Sequence, residues 1–255
     1  MEALSDARVV DVWERGKRRD PIGRALTLLA AARPDLAAHE LARVDVFQRD
    51  RALMALRAAT FGARLPGYAD CPECHERLEF ELDGVQAAPL ALAGGGGPTE
   101  VELESGARFR LPTSEDLAAV SSSGAGADEA VHLLVERCLQ PRVVPPAADG
   151  RPMTAQPLPL GEVERALVAF AEAADVDVRL DFTCVACGHR WIESLDVAHY
   201  LWEEIDERAE RVLDDVHVLA SWYGWSEHEI LALGETRRCA YLERCRAGST
   251  AEMVG

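Results

Sequence analysis

Two cysteine pairs are the residues of this chain best suited to chemistry. Two residues separate Cys71 from Cys74, and two separate Cys184 from Cys187. This spacer at a tight turn lets both sulfurs of a pair point at one centre, while backbone amides of the turn donate to them. Four thiolates complete the tetrahedral shell of a structural zinc site. The sequence therefore predicts one structural Zn²⁺ per chain, bound by Cys71, Cys74, Cys184 and Cys187.

The separation of the two pairs points to an insertion. Cys74 and Cys184 are 110 positions apart, whereas zinc ribbons usually place about 15 to 20 residues between their two pairs. Apolar and polar residues alternate from Leu78 to Leu82 and from Val176 to Phe182, as in half-buried strands. We expect a strand at 77–83 to leave the first cysteine turn and a strand at 176–183 to return and pair beside it.

Several other interpretations of the cysteines compete with structural zinc, and two inert pairs that arose by coincidence would be the poorest account. A redox-active dithiol needs only one pair, in a strand-helix context that neither flank offers. Disulfides are disfavoured because the N-terminus shows no secretory signal. A zinc-dependent hydrolase would need an open coordination position, which a four-cysteine shell does not leave. Cys138, Cys239 and Cys245 lack paired spacing and lie in helical patterns, so we expect them to be buried packing residues.

No pattern of catalytic residues accompanies the cysteines. His39-Glu40 is followed by Arg43 where a metalloprotease needs a second histidine. The glycine run at 94–97 lacks the lysine and hydroxyl residue of a phosphate-binding loop, and the serine-rich stretch at 121–126 is no nucleophile elbow. We therefore expect no enzymatic activity, no catalytic residues and no small-molecule substrate or organic cofactor.

The charge of the chain argues against nucleic acid and membrane partners. Its 44 acidic and 27 basic side chains give a formal net charge of -17, which repels phosphate backbones and anionic lipid surfaces. The basic run at 15–19 is short and typical of a solvated face. The apolar stretch at 25–32 is too short to cross a bilayer. We expect a cytoplasmic protein.

Periodicity and turn residues indicate a mainly helical α+β fold in four segments. Residues 1–70 form an N-terminal helical segment, 71–84 and 176–195 form the split zinc ribbon, and 196–255 form a C-terminal helical segment. Residues 85–175 form the insertion, with a small β-hairpin, helices and a proline-rich loop. The C-terminal segment concentrates aromatic residues, for which the core is the safer interpretation and a docking surface the alternative: Trp202, Trp222, Tyr223 and Trp225.

The order of several short motifs resembles a family of bacterial proteins encoded with phage tails and contractile injection systems, related to the T-even phage baseplate hub assembly proteins. The resemblance extends over most of the chain. Its parts are Trp13-Glu14-Arg15-Gly16, Leu53 and the segments at 24–29, 49–50, 56–57, 61–62, 71–74, 109–117, 184–189, 215–220, 223–226 and 237–238.

The resemblance implies a non-enzymatic baseplate assembly factor or minor baseplate component, with other baseplate, hub or spike proteins as partners. Whether such a protein stays in the finished tail-like particle is left open. A zinc-ribbon regulator is the alternative, in which 215–246 would form a DNA-binding helix-turn-helix. The net charge of the chain argues against this alternative. Its local support is four arginines: Arg237, Arg238, Arg244 and Arg246.

Overall fold

A computed structural model describes residues 2–82, 99–140, 158–174 and 179–252. The predicted α+β class is confirmed, because helices dominate these residues and the strands form small antiparallel sheets. The glycine-rich connection and almost all of the proline-rich loop lie outside the described residues. The helices are α1 (Asp6–Gly16), α2 (Pro21–Ala32), α3 (Ala38–Leu41), α4 (Val46–Phe61), α5 (Ser114–Ser122), α6 (Ala127–Cys138), α7 (Leu160–Ala174), α8 (Val197–Tyr223), α9 (Glu227–Leu231) and α10 (Glu235–Glu252). The strands are β1 (Leu65–Asp70), β2 (Arg77–Leu82), β3 (Glu100–Glu102), β4 (Arg108–Arg110), β5 (Leu139–Gln140), β6 (Arg179–Thr183) and β7 (Arg190–Ser194).

Helix ends follow local chemistry that the sequence displays. Asp45 accepts a hydrogen bond from the Gln48 amide at the start of α4, which satisfies an amide with no partner inside the helix. Ser226 and Glu229 form a capping box at α9. Gly224 ends α8 with a left-handed φ of 66°, which glycine adopts without a Cβ clash. Each of these helix boundaries follows from residues that are neighbours in the sequence.

The largest core lies where α1, α2 and α4 pack against α8. Leu28, Leu53, Leu56, Leu201 and Ile205 are fully buried there. Since α8 follows the second cysteine pair and the other three helices precede the first, this core joins the two ends of the chain. The apolar stripe of each helix faces this shared interior, as amphipathic helices require.

The inserted segment has a smaller core of its own. The predicted hairpin is confirmed as β3 and β4, and β5 pairs with the other side of β4. Phe109 and Val163 pack there with Cys138, between this sheet and helices α6 and α7. Asp45, which is fully buried, accepts hydrogen bonds from the amide and hydroxyl of Thr99. This carboxylate therefore fastens the insertion to the start of α4.

The predicted pairing of the strand at 77–83 with the strand at 176–183 is wrong. Among the described residues, β2 pairs with β1 and β6 pairs with β7, so each cysteine pair lies at the turn of its own hairpin. A two-residue spacer already reverses the chain, and local pairing costs less loop-closure entropy than pairing across the insertion. β1 lies within 1–70, which was predicted to be helical.

Candidate metal centre

Each cysteine pair is held in a turn that the backbone closes in the same way. The amide of Cys71 donates to the carbonyl of Glu76 over 2.9 Å, and the amide of His75 donates to the carbonyl of Cys71 over 2.9 Å. In the second turn, the corresponding bonds run from Cys184 to His189 over 2.8 Å and from Gly188 to Cys184 over 3.0 Å. The two turns are therefore copies of one local structure, separated by the insertion.

The residue after each second cysteine has a left-handed backbone. Gly188 has a φ of 74°, and His75, at the equivalent position, has a φ of 60°. Within the described ranges, His75 is the single non-glycine residue with positive φ. This conformation disfavours side chains with a Cβ, so its retention at His75 indicates that the surrounding turn imposes it.

The four sulfurs converge on one point. Cys71 Sγ lies 3.7 Å from Cys187 Sγ, and Cys74 Sγ lies 3.5 Å from Cys184 Sγ. All four ligand atoms lie within 4.8 Å of one another. A tetrahedral shell with metal-sulfur bonds of about 2.3 Å has sulfur-sulfur edges of about 3.8 Å. The predicted residues are thus brought together in an arrangement that could hold a metal ion.

Backbone amides prepare part of this shell for ionisation. The amides of Cys187 and Ala186 donate to the Cys184 sulfur and lower the pKa of that thiol to about 7, against the effect of burial. The amide of Glu76 also lowers the pKa of the Cys74 thiol. The sulfurs of Cys187 and Cys184 have the opposite and larger combined effect, which raises this pKa to about 12. Four adjacent sulfurs cannot all ionise without a compensating cation, and a bound dication supplies that charge.

The shell has one covered side and one open side. Cys71 and Cys184 are buried, whereas Cys74 and Cys187 are exposed. The rings of Phe80 and Phe182 lie 5.4 Å apart and join the two hairpins. Trp191 stacks on Phe182, its cross-strand partner within the second hairpin, at 5.1 Å. The contact between Phe80 and Phe182 joins the hairpins through aromatic side chains, since no strand hydrogen bonds link the two sheets among the described residues.

Helices α4 and α8 place the two hairpins side by side. α4 ends a few residues before β1, and β7 ends a few residues before α8. The Arg57 guanidinium of α4 binds both carboxylate oxygens of Glu204 in α8, at 2.7 and 2.9 Å, and also donates to the carbonyl of Gly62. Tyr200 of α8 donates to the carbonyl of Pro66 in β1 over 2.5 Å. The helix pair thereby fixes the base from which both hairpins extend.

The remaining cysteines have mixed outcomes. Cys138 and Cys245 are buried, as expected of packing residues. Cys239 is exposed, so the prediction that it packs in a core is wrong. It lies beside Arg238, whose side chain faces inwards to α1 and α8, and neighbouring helix positions point in different directions.

The C-terminal aromatic residues divide between core and surface. Trp202 is buried under α1, which confirms the core interpretation for that residue. Trp222 and Tyr223 are exposed at the end of α8. Tyr223 stacks on Trp225 with their ring centroids 4.6 Å apart. The core interpretation is therefore wrong for Trp222 and Tyr223.

One arginine of the DNA-binding alternative is committed to the fold. Arg238 is 1% exposed and donates to Asp6 of α1 and, over 2.9 Å, to Asp215 of α8. A side chain held in this way is not available to contact phosphates. The buried role of Arg238 could not be predicted from the sequence. An arginine in a helical pattern is usually solvated, and its partners Asp6 and Asp215 are distant in sequence.

Comparisons with protein-family models, with curated proteins and with solved structures found no match to this chain. In the part of the chain that the structure describes, no helix combines the length and the apolar character needed to cross a membrane.

Proposed function

We propose that the four-cysteine cluster is a structural zinc site. The single observation that supports it is the convergence of Cys71, Cys74, Cys184 and Cys187 from two equivalent turns. An all-sulfur tetrahedral donor set favours zinc or an iron-sulfur centre over hard cations such as magnesium, and zinc is the usual ion for two such turns. All four positions are filled by protein, so the ion joins the two hairpins and has no open position for a substrate.

Metal analysis of the purified chain tests this site. We expect one zinc per chain by elemental analysis, and a thiolate-to-metal charge-transfer spectrum when cobalt replaces zinc. Cys184→Ser should lose the metal and allow trypsin to cut at Arg77 and Arg190 beside the turns. Cys239→Ser is the matched control, since Cys239 is exposed and lies outside the cluster. Iron with an iron-sulfur absorption spectrum, or a metal content equal in both variants, would contradict the proposal.

We further propose that the protein is a non-enzymatic assembly factor or minor component of the baseplate of a contractile injection system or phage-like tail. The resemblance of its motifs supports this function. Gly16 packs against Trp202, Arg57 joins α4 to α8, and Asp215 pairs with Arg238. These three residues of the resembling motifs thus join helices to α8, so this part of the resemblance concerns the architecture of the chain.

A pull-down from cells that express the whole surrounding gene cluster tests the partner class. We expect the tagged chain to retain baseplate, hub or spike components, and Cys184→Ser to retain less of them than Cys239→Ser. Recovery of zinc-loaded chain without any such component would count against the baseplate function while leaving the metal site intact.

A further inference from the structure

The four cysteines of the metal centre are divided between solvent and interior in the same way in both turns. Each turn has one exposed sulfur, on Cys74 or Cys187, and one buried sulfur, on Cys71 or Cys184. A small dissolved oxidant can therefore reach one sulfur of each turn, while protein covers the other two. Peroxides oxidise cysteines according to their exposure and thiolate character, and a bound metal keeps its cysteine ligands in the thiolate form.

The buried sulfur beside each exposed sulfur belongs to the other hairpin. Cys74 Sγ lies 3.5 Å from Cys184 Sγ, and Cys187 Sγ lies 3.7 Å from Cys71 Sγ. An exposed cysteine that is oxidised first, with a second cysteine beside it that completes the disulfide, is the arrangement found in redox sensors. In this chain, the second cysteine is 110 or 116 positions away in sequence.

We propose that peroxide converts this zinc site into two disulfides that link the hairpins, Cys74 to Cys184 and Cys71 to Cys187. This inference rests on the proposed zinc site and adds a redox-dependent state to it. Zinc joins the two hairpins under reducing conditions, and disulfides join the same two hairpins after oxidation. The cluster thus holds the two ends of the insertion together in both states.

The reaction balances with peroxide as the sole oxidant. The Cys74 thiolate attacks one peroxide oxygen, the O–O bond breaks, and the other oxygen leaves as hydroxide, which takes a proton from solvent. The Cys184 thiolate then attacks the oxidised Cys74 sulfur. The S–O bond breaks, and a second hydroxide leaves and takes a second proton. Two thiolates, one peroxide and two protons thus give one disulfide and two waters.

Loss of two thiolates releases the ion. Structural zinc needs four ligands, and Cys71 and Cys187 alone leave half of its shell empty. These two cysteines then react with a second peroxide in the same way. The two disulfides close loops of 110 and 116 positions, and cross-links that close long loops restrict the unfolded chain most. The hairpins therefore stay joined without the ion.

Trypsin separates the two turns from each other while it leaves each cysteine pair intact. Arginines flank both turns, so the first pair lies in peptide 65–77 and the second pair in peptide 180–190. Disulfides between the hairpins join these two peptides, whereas disulfides within each turn leave them separate. The mass spectrum of a non-reducing digest distinguishes the two outcomes.

Peroxide titration of the reduced, zinc-loaded full-length chain tests the proposal. We expect about one peroxide per chain to release the zinc to a chelating dye, and the two tryptic peptides to become linked. Fragmentation of the linked peptides should assign Cys74 to Cys184 and Cys71 to Cys187. Dithiothreitol with added zinc should restore the original state. Hydrogen exchange in both hairpins should be slower after oxidation than after chelation of the reduced chain.

Cys239→Ser is the matched control, because Cys239 is exposed and lies outside the cluster. This variant should release zinc and form the linked peptides as the original chain does. Separate peptides with a disulfide inside each turn, a link from Cys74 to Cys187, or zinc that stays bound in excess peroxide would each overturn the proposal. A reduced chain without zinc would contradict the zinc site itself, which is a different result from a zinc-loaded chain that forms no links.

Discussion

Arg57 illustrates how a single side chain can hold two distant parts of this chain together. Its side chain is 2% exposed, and its bidentate contact with Glu204 crosses from α4 to α8. Replacing one member of a buried pair leaves the other charge without its partner. The carbonyl of Gly62 would lose its donor as well.

Arg57→Met should therefore lower the free energy of unfolding of the helical core by about 3 kcal/mol. The methionine keeps most of the aliphatic packing, so the loss reports the polar contacts. Urea denaturation followed by tryptophan fluorescence measures it, since Trp202 lies in this core. Arg211→Met is the control: its pair with Glu207 is exposed, and we expect a change below about 1 kcal/mol. Equal effects of the two variants would show that Arg57 contributes no more than a surface charge.

At the scale of residues, side chains that belong to a local sequence pattern could be predicted. Side chains whose role depends on partners distant in sequence could not. The spacing of the cysteines identified the four side chains that converge. Nothing in the neighbourhood of Arg57 or Arg238 shows that either is buried, because Glu204 and Asp6 lie far away in sequence. The exposed Cys239 was misjudged for a similar reason, since only tertiary packing decides which face of α10 is covered.

The close packing of α1 on α8 depends on a glycine in the last turn of α1. A Cβ on Gly16 would overlap the Cζ3 and Cη2 atoms of the Trp202 ring. Gly16→Ala should lower the free energy of unfolding by about 1 to 3 kcal/mol, despite the higher helix propensity of alanine. Urea denaturation measures the change.

Two further variants distinguish the effect of the overlap with the Trp202 ring from the effect of helix propensity. Gly161→Ala in α7 meets its nearest atom at 3.5 Å, an ordinary contact, and should raise stability by about 0.5 kcal/mol. Trp202→Phe removes the clashing ring atoms, so in that background Gly16→Ala should cost little. If the cost of Gly16→Ala stays the same in the Trp202→Phe background, the explanation from overlap with the indole ring is incorrect.

The Asp116 carboxylate stabilises the start of α5, and it does so in its ionised form. Asp116 is buried, and burial alone would raise its pKa, but hydrogen bonds from Arg110 and Thr113 hold the pKa well below its ordinary value of 3.8. A depressed pKa stabilises the folded state above the unfolded pKa, and this contribution is lost as pH falls towards the folded pKa.

Asp116→Asn should therefore lower the free energy of unfolding by about 2 kcal/mol at pH 7. The difference from the original chain should shrink as pH falls below about 4, because the carboxyl is then protonated in the unfolded state. Chemical denaturation across that range measures both quantities. Glu104→Gln is the control in the same insertion, since Glu104 pairs with Arg165 at the surface. A difference that grows as pH falls would contradict the assigned role.

At the scale of elements, helix ends were more predictable than strand partners. Asp45, Gly62, Ser226 and Gly224 each act on neighbouring backbone groups, so their positions in the sequence are sufficient to mark these helix ends. β1 was missed because Pro66 and Gly67 are poor strand formers, and Gly67 is explained only by the Phe80 ring against it. Which strand pairs with which depends on chain topology, which a periodic pattern does not encode.

The whole molecule combines a helical core with two hairpins that a metal would join. Two-stranded hairpins are marginal alone, whereas α4 and α8 pack through fully buried leucines and the Arg57 contact. We therefore expect loss of the metal to unfold the two hairpins locally, and the helical core to stay folded.

Chelation of the metal should therefore raise hydrogen exchange at 65–82 and 179–194 to the rate of an unstructured chain, while amides of α4 and α8 stay protected. Exchange followed by mass spectrometry measures both regions in one experiment. The original chain with excess zinc is the control. Parallel loss of protection in α4 and α8 would show that the core itself needs the ion.

The packing of α8 against α1, α2 and α4 also has a consequence for synthesis. These three helices leave the ribosome long before α8 is translated, and the Asp6 to Arg238 contact spans 232 positions. At about 5 to 20 residues per second, the apolar faces of the nascent N-terminal helices would wait on the order of ten seconds for their partner. Chaperones that shield emerging hydrophobic segments would have that interval in which to act on this chain.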